Sequence, residues 1–296
     1  AADLARAGLA GTLRDYTMAF ADGRVGPLSA LDYKGMEAGY VSQPGEVVNY
    51  VENHDNPTLW DINALKLPQS TSAAERARVQ LLGAAFVALS QGLAYFHAGT
   101  DVLRSKSLDR NSFDSGDWFN RLDWTYTDNG FGAGLPPAQD NGKDWNLLRP
   151  VLRNPDARPS PADIAWMRDA FRDLLRIRAS TPLFRLRSAQ DVRARLAFRN
   201  TGPGQDPAVI AGHLDGHGMD AGFDEVLYLL NVAPDARVLA LPEEAGKRYV
   251  LHPVQAAAGA VDARPRQARY EAATGRFEVP GRSVVVFVVK TGEGTR

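Results

Sequence analysis

Apolar positions along the chain change their period near residue 182. Before that point the signal is strand, helix, strand. Val47-Val48-Asn49-Tyr50-Val51 is a short, largely apolar run of the kind expected in a parallel sheet covered on both faces. It ends in the polar cluster Glu52-Asn53-His54-Asp55-Asn56, followed by Pro57. Ser72 with Glu75 three positions on predicts a capped helix start. Val79, Leu82, Ala85, Phe86 and Leu89 then recur at helical spacing, and Gly92 closes the element. Residues 93–97 are a second strand-like run, so the whole predicts a βαβ unit with a parallel sheet. Residues 1–40 mix short helical patches with Gly-rich turns. From 99 to 160 no period holds, yet the seven aromatic residues Phe113, Trp118, Phe119, Trp124, Tyr126, Phe131 and Trp145 argue for an ordered, functional loop over a disordered one.

A second helix opens at Ser160-Pro161, runs through Trp166, Ala170, Phe171, Leu174 and Leu175, and stops before Thr181-Pro182. Short extended runs follow at 195–198, 208–213, 225–231, 237–241, 248–251, 276–279 and 283–289, separated by Gly, Pro and Asp. They predict an antiparallel, sandwich-like module. The expected fold class is therefore α/β plus all-β, with one part over 1–181, including the long loop 99–160, and an all-β domain over 182–296.

Composition narrows the function classes. The chain has 296 residues and a formal net charge of −1, so no excess of basic residues points to nucleic acid or an anionic membrane. No apolar run approaches the roughly 18 residues that span a bilayer. Cysteine is absent, which removes disulfides, thiolate nucleophiles and Cys-ligated metals but leaves the compartment open. The first residues, Ala-Ala-Asp-Leu-Ala-Arg, lack an initiator Met and do not form a signal peptide, so the chain is expected to begin inside a larger protein.

Asp55 is the first candidate for chemistry, because catalytic groups of a (β/α)8 barrel sit where strands end and side chains converge on one mouth. His54 supplies a donor for a sugar hydroxyl, and Asn56 both a donor and an acceptor. The competing reading is that Asp55 and Asn56 cap the turn before Pro57. As the base of a Ser triad the His-Asp pair would need a nucleophile that nothing marks.

The run from Tyr50 through Val51-Glu52-Asn53-His54-Asp55-Asn56-Pro57-Thr58-Leu59-Trp60 to Asp61 resembles the fourth signature region of the α-amylase superfamily in its pullulanase form. Phe96-His97-Ala98-Gly99-Thr100-Asp101-Val102-Leu103-Arg104-Ser105-Lys106-Ser107-Leu108-Asp109-Arg110 is similar to the pullulanase eighth strand and its loop. The loop continues as Ser115-Gly116-Asp117-Trp118-Phe119-Asn120-Arg121-Leu122-Asp123, and the likeness extends over roughly residues 40–231. The resemblance implies the C-terminal part of a (β/α)8 TIM barrel followed by an antiparallel β-sandwich domain. It implies a retaining glycoside hydrolase that cleaves α-1,6 branch linkages of pullulan and other branched α-glucans. Two further readings are another superfamily hydrolase, of isoamylase or α-1,4 type, and an inert glucan-binding fragment.

By the same resemblance Asp55 is the carboxylate that stabilises the transition state, with His54, Asn56, Arg110, Trp118 and Asp144 in contact with substrate. The family's Asp-Asn-Trp stands here as Lys143-Asp144-Trp145, without the asparagine. Trp118 either stacks on a pyranose face or packs the loop. The family's nucleophile Asp and acid Glu belong to strings that do not occur here, and are expected in an N-terminal part of the same enzyme. The expected partners are therefore that part and a branched α-glucan, with no cofactor required and no metal site assigned. His213, His217 and His252 are read as core or surface residues. The turn Asp215-Gly216-His217-Gly218-Met219-Asp220 offers oxygen ligands that a structural calcium could take, although its spacing matches no known calcium loop.

Overall fold

The extended runs after residue 182 form two antiparallel sheets in the structure, a computed structural model that describes residues 1–292. Five strands lie in the order Val250–Leu251, Ser283–Lys290, Phe223–Asn231, Val209–Asp215, Leu196–Arg199. Every neighbouring pair is antiparallel. A three-stranded antiparallel sheet holds Arg237–Ala240, Arg276–Val279 and Arg269–Glu271. The last of these was not expected, since Arg-Tyr-Glu is too short and polar to alternate. Residues of both sheets share one core: Val209, Leu227, Leu229, Val285 and Phe287 from the larger, Leu239, Phe277 and Val279 from the smaller. Tyr270 stacks on Phe277 with ring centres 4.6 Å apart. Each such side chain contributes about 1.5–3 kcal/mol through the area it removes from water.

The chain divides into two compact units. The first comprises Ala1–Asn49, Ala85–Ala94 and residue 173 onward, and so includes both sheets. Within it, helix Ala2–Leu9 is anchored by buried Arg6, which donates to Asn200 O at 2.6 Å and Gln205 Oε1 at 2.8 Å. The Tyr16 hydroxyl donates to Leu196 O at 3.0 Å, fixing the N-terminal segment to the outer strand of the larger sheet. Residues 1–40, which lack a clear period, form this helix and short antiparallel ribbons, Thr17–Ala19 with Val25–Pro27 among them.

The βαβ expectation holds in direction but not in extent. Val48–Asn49 pairs parallel with Leu93–Ala94, in the register Val48↔Leu93 and Asn49↔Ala94. Each strand is two residues long rather than five, and Val48 and Leu93 are exposed rather than covered. The physical reason is that this pair has no further strand beside it among the described residues. The described residues contain no closed barrel.

The second unit comprises Tyr50–Ala84 and Tyr95–Arg172. Helix Leu59–Lys66 is capped by the Thr58 hydroxyl, which accepts from Asp61 N at 3.2 Å. Buried Arg76, near the start of helix Ala73–Ala88, donates to Asn63 O at 2.7 Å, Thr71 O at 2.9 Å and Pro68 O at 3.0 Å. Those carbonyls lie in the last turn of helix Leu59–Lys66 and in the segment after it, where Asn63 O also accepts from Leu67 N and Pro68 O from Thr71 N. The long segment after Gly99 is built from tight turns and helix Trp145–Leu152, with Leu148 and Val151 buried. Helix Pro161–Ala179 starts as expected, with Ser160 Oγ accepting from Asp163 N at 3.2 Å. Its buried stripe is Ile164, Met167, Ala170, Phe171, Leu174 and Ile177. Leu175, expected on that stripe, is exposed.

Candidate functional site

Residues 52–61 turn sharply between two buried carboxylates. Glu52 accepts from Leu59 N at 2.6 Å and from the Thr100 hydroxyl. Burial pushes the Glu52 carboxyl above its usual range, although these two hydrogen bonds oppose the shift. Asp61 is fully buried, and desolvation raises its carboxyl to about 6. It accepts from Ser105 Oγ at 2.5 Å and Lys106 N at 2.8 Å. Between them Asp55 N donates to Asn53 Oδ1 at 2.8 Å, and Asn56 adopts a left-handed conformation with φ 60°. Asparagine tolerates that region better than most residues.

The string Arg104-Ser105-Lys106-Ser107 fastens this turn to the long loop, each side chain reaching a different partner. Arg104 donates to Asn120 O at 2.7 Å, Ser105 to Asp61, Lys106 Nζ to His54 O at 3.0 Å, and Ser107 Oγ to Gly134 O at 2.6 Å. Leu103 at φ 59° and Leu108 at φ 65° flank the string in strained conformations that persist only where surrounding bonds over-determine them. Asp109 follows, fully buried, accepting from Ser115 Oγ at 2.6 Å, Asn111 N at 2.9 Å and Asn141 Nδ2 at 3.0 Å.

Above these supports opens a cavity of about 530 Å3 lined by Asp55, Asn56, Arg110, Asn111, Gln139, Asp140, Gly142 and Lys143. Two carboxylates, two cations and three amides balance its charge and line it with both donors and acceptors. Asn111 Nδ2 is occupied by Asp140 Oδ2 at 2.8 Å. By contrast, the side chains of Arg110, Gln139 and Lys143 carry no protein hydrogen bond among the described residues, so their donors face the opening unspent. Asp55 is 68% exposed, with His54 Nε2 at 3.6 Å from its carboxylate.

The structure thus brings Asp55, Asn56 and Arg110 to one cavity, with His54 beside Asp55. Asp144 lies one residue beyond the lining residue Lys143, at the start of helix Trp145–Leu152. Trp118 is not among the lining residues: its indole N–H donates to Ala133 O at 3.1 Å, and Arg121 lies 5.4 Å from its ring centre.

Residues 126–290 match the family described as alpha-1,6-glucosidases, pullulanase-type, C-terminal. The chain belongs to that family. It is 40% identical to pullulanase 1 of Arabidopsis thaliana chloroplasts over 95% of its length, and 38% identical to the pullulanase of Klebsiella pneumoniae over 99%. It covers 30% and 27% of those two relatives, under a third of each. Among solved structures, PulA of Klebsiella oxytoca superposes on 99% of the chain with a TM-score of 0.93 at 37% identity, and the chain covers 28% of it. The Klebsiella pneumoniae pullulanase crystallised with maltotriose matches at a TM-score of 0.92 and 36% identity, with 99% of the chain and 28% of that protein covered.

In this pullulanase-type chain three polar groups went unassigned in the sequence: Asp61, Lys106 and Asp109. All three lie inside or next to the quoted signature strings, which was the signal available for them. Their burial is invisible to spacing. The histidines are placed as follows. His252 is buried, receives Val254 N at 3.2 Å and lies 3.0 Å from Ser180 Oγ; burial lowers it to about 4. His217 pairs with Asp215 at 2.7 Å, which engages one carboxylate of the turn considered for calcium. The fold gathers His213 with Glu225 and Glu244, their ligand atoms within 4.8 Å of one another. The Lys247 ammonium sits on both glutamates at 2.5 and 2.6 Å, so a cation of the protein's own already occupies that cluster.

Proposed function

We propose that this chain is the C-terminal part of a retaining pullulanase-type hydrolase that cleaves α-1,6 branch linkages in pullulan and other branched α-glucans. Asp55 is the carboxylate that stabilises the transition state. The nucleophile Asp and the acid Glu, roughly 5–5.5 Å apart in a retaining pair, are supplied by a preceding segment, and the chain alone is catalytically inert. In this reading residues 1–181, with the parallel pair Val48–Asn49 and Leu93–Ala94, are the C-terminal portion of a (β/α)8 barrel, and the two antiparallel sheets form a β-sandwich over 182–296.

The observation that carries the proposal is Asp55 meeting Asn56 and Arg110 at one polar cavity on a buried hydrogen-bonded support. Glycosidic cleavage passes through an oxocarbenium-like sugar, and a carboxylate fixed beside the ring hydroxyls stabilises it without attacking. His54 and Asn56 bind hydroxyls of the same sugar. Arg110 bridges two hydroxyls of the glucan, Asp144 contacts a more distant unit, and Trp118 offers its exposed face to a pyranose. No cofactor enters this chemistry.

The test uses the full-length enzyme on pullulan. Maltotriose is the expected product, and Asp55→Asn is expected to lower kcat roughly 10³-fold or more. A variant within tenfold of the parent overturns the assignment. Cleavage of amylose in preference to pullulan points instead to an α-1,4-acting member.

A further inference from the structure

Across residues 53–56 the described structure contains one internal backbone bond, Asp55 N to Asn53 Oδ1, and one bond from outside, Lys106 Nζ to His54 O at 3.0 Å. Lys106 is 1% exposed. Its ammonium therefore reaches the turn from within the protein, while the Asp55 carboxylate faces the opening. The lysine is itself held at the backbone, since its N–H donates to buried Asp61 at 2.8 Å and neighbouring Ser105 donates to the same carboxylate. Asp61 belongs to helix Leu59–Lys66, which begins four residues after Asp55. A rigid helix, a buried carboxylate, a lysine and the His54 carbonyl thus form one continuous chain of contacts to the candidate catalytic group.

From this geometry we propose that Lys106 is a positioning residue for Asp55, fixing the 53–56 turn through the His54 carbonyl and placing a buried positive charge behind it. The proposal rests on the assignment of Asp55 made above. An ammonium has three donors, and this one spends a single donor on protein among the described residues, so its charge is not consumed by a direct carboxylate partner. Burial and the nearby Arg104 charge lower its proton affinity, while Asp61, Asp109 and Asp55 act in the opposite direction. The cost of burying an unpaired ammonium is justified structurally only if the charge serves something near it. The exposed side chains of His54 and Asp55 cannot hold their own backbone, and the left-handed Asn56 gives the turn no regular hydrogen bonding.

The consequence is a kinetic effect separable from stability. A displacement of about 1 Å at a reacting group can cost on the order of 10²-fold in rate. In the full-length enzyme, Lys106→Met, which retains apolar volume but neither charge nor donor, is expected to lower kcat on pullulan about tenfold or more, with KM within about twofold. Lys106→Arg, which retains both, is expected to recover part of that loss. If Lys106→Met does not fold, Lys106→Gln is read in its place and is expected to lose kcat in the same way, since its shorter side chain falls short of the carbonyl. A kcat within twofold of the parent, a loss confined to KM, or equal losses in Met and Arg variants overturns the proposal. Asp55→Asn measured alongside separates the two ideas: if that variant is inactive while Lys106→Met keeps kcat within twofold of the parent, the positioning role falls and the Asp55 assignment stands.

Discussion

Asp55 and Asn56 were nominated by their place at a strand end, with a turn-capping role still open beside it, and Arg110 only by the resemblance of its string to a pullulanase loop. Asp109 was not legible in that way. Nothing in its neighbours reveals that it accepts three hydrogen bonds in full burial, from Asn111, Ser115 and Asn141. Asp109→Ala would remove the acceptor of all three and strand the buried one, Asn141 Nδ2, and a buried donor without a partner costs about 1–3 kcal/mol. The expected destabilisation is about 3 kcal/mol, read from the midpoint of denaturant unfolding. Since Asn111 lines the cavity and Asn141 Oδ1 accepts from Arg110 N at 3.4 Å, KM for the glucan should rise as well. A variant as stable as the parent would mean that the loop finds other partners. Trp118 is equally opaque to its neighbours: its indole N–H donates to Ala133 O and Arg121 lies 5.4 Å from its ring centre, while the side chain stays 58% exposed.

Elements were read best where period and turn chemistry agreed. The helices opening at Ser72 and Ser160 and the long strands after residue 200 appear within a few residues of expectation. The two-residue parallel strands did not, since their apolar run gives no sign of where pairing stops. Pairing also explains a glycine that spacing cannot. Gly212 lies directly opposite Tyr228 in adjacent strands, and a Cβ there would fall inside the tyrosine ring. Gly212→Ala should therefore destabilise the larger sheet by about 1–3 kcal/mol through overpacking, measured as a fall in unfolding midpoint. The same sheet carries an acid-sensitive contact. Burial pushes Glu225 up, but the hydrogen bonds from His213 and Lys247 outweigh it and bring the carboxyl down from 4.5 to about 2. A depressed folded-state pKa gives stability that is complete above 4.5 and is lost as pH falls toward 2. That amounts to about 3 kcal/mol. Comparing acid unfolding of the parent with Glu225→Gln checks it, and the variant should show a flatter dependence across this window.

For the molecule as a whole, charge balance and the absence of cysteine named no partner, and only the motif strings singled out a glucan. What no string could show is which apolar surface these residues leave uncovered. In one unit Val48 and Leu93, paired in register on the short parallel strands, are 49% and 54% exposed. In the other, the edge-to-face pair Tyr50 and Tyr95 is 53% and 40% exposed. Water meets both at considerable cost, and an unpaired strand edge with apolar side chains is a template for association. On the proposed reading, a preceding segment of the barrel covers them. The isolated 296-residue chain should therefore self-associate at micromolar concentration and lack a cooperative thermal transition of its own, as read by light scattering after size exclusion and by calorimetry. Adding the preceding segment as a separate polypeptide should restore both monodispersity and a sharp melt. A monomeric chain that melts cooperatively alone would show that these exposed side chains need no cover, and would remove the reason for placing them inside a larger barrel.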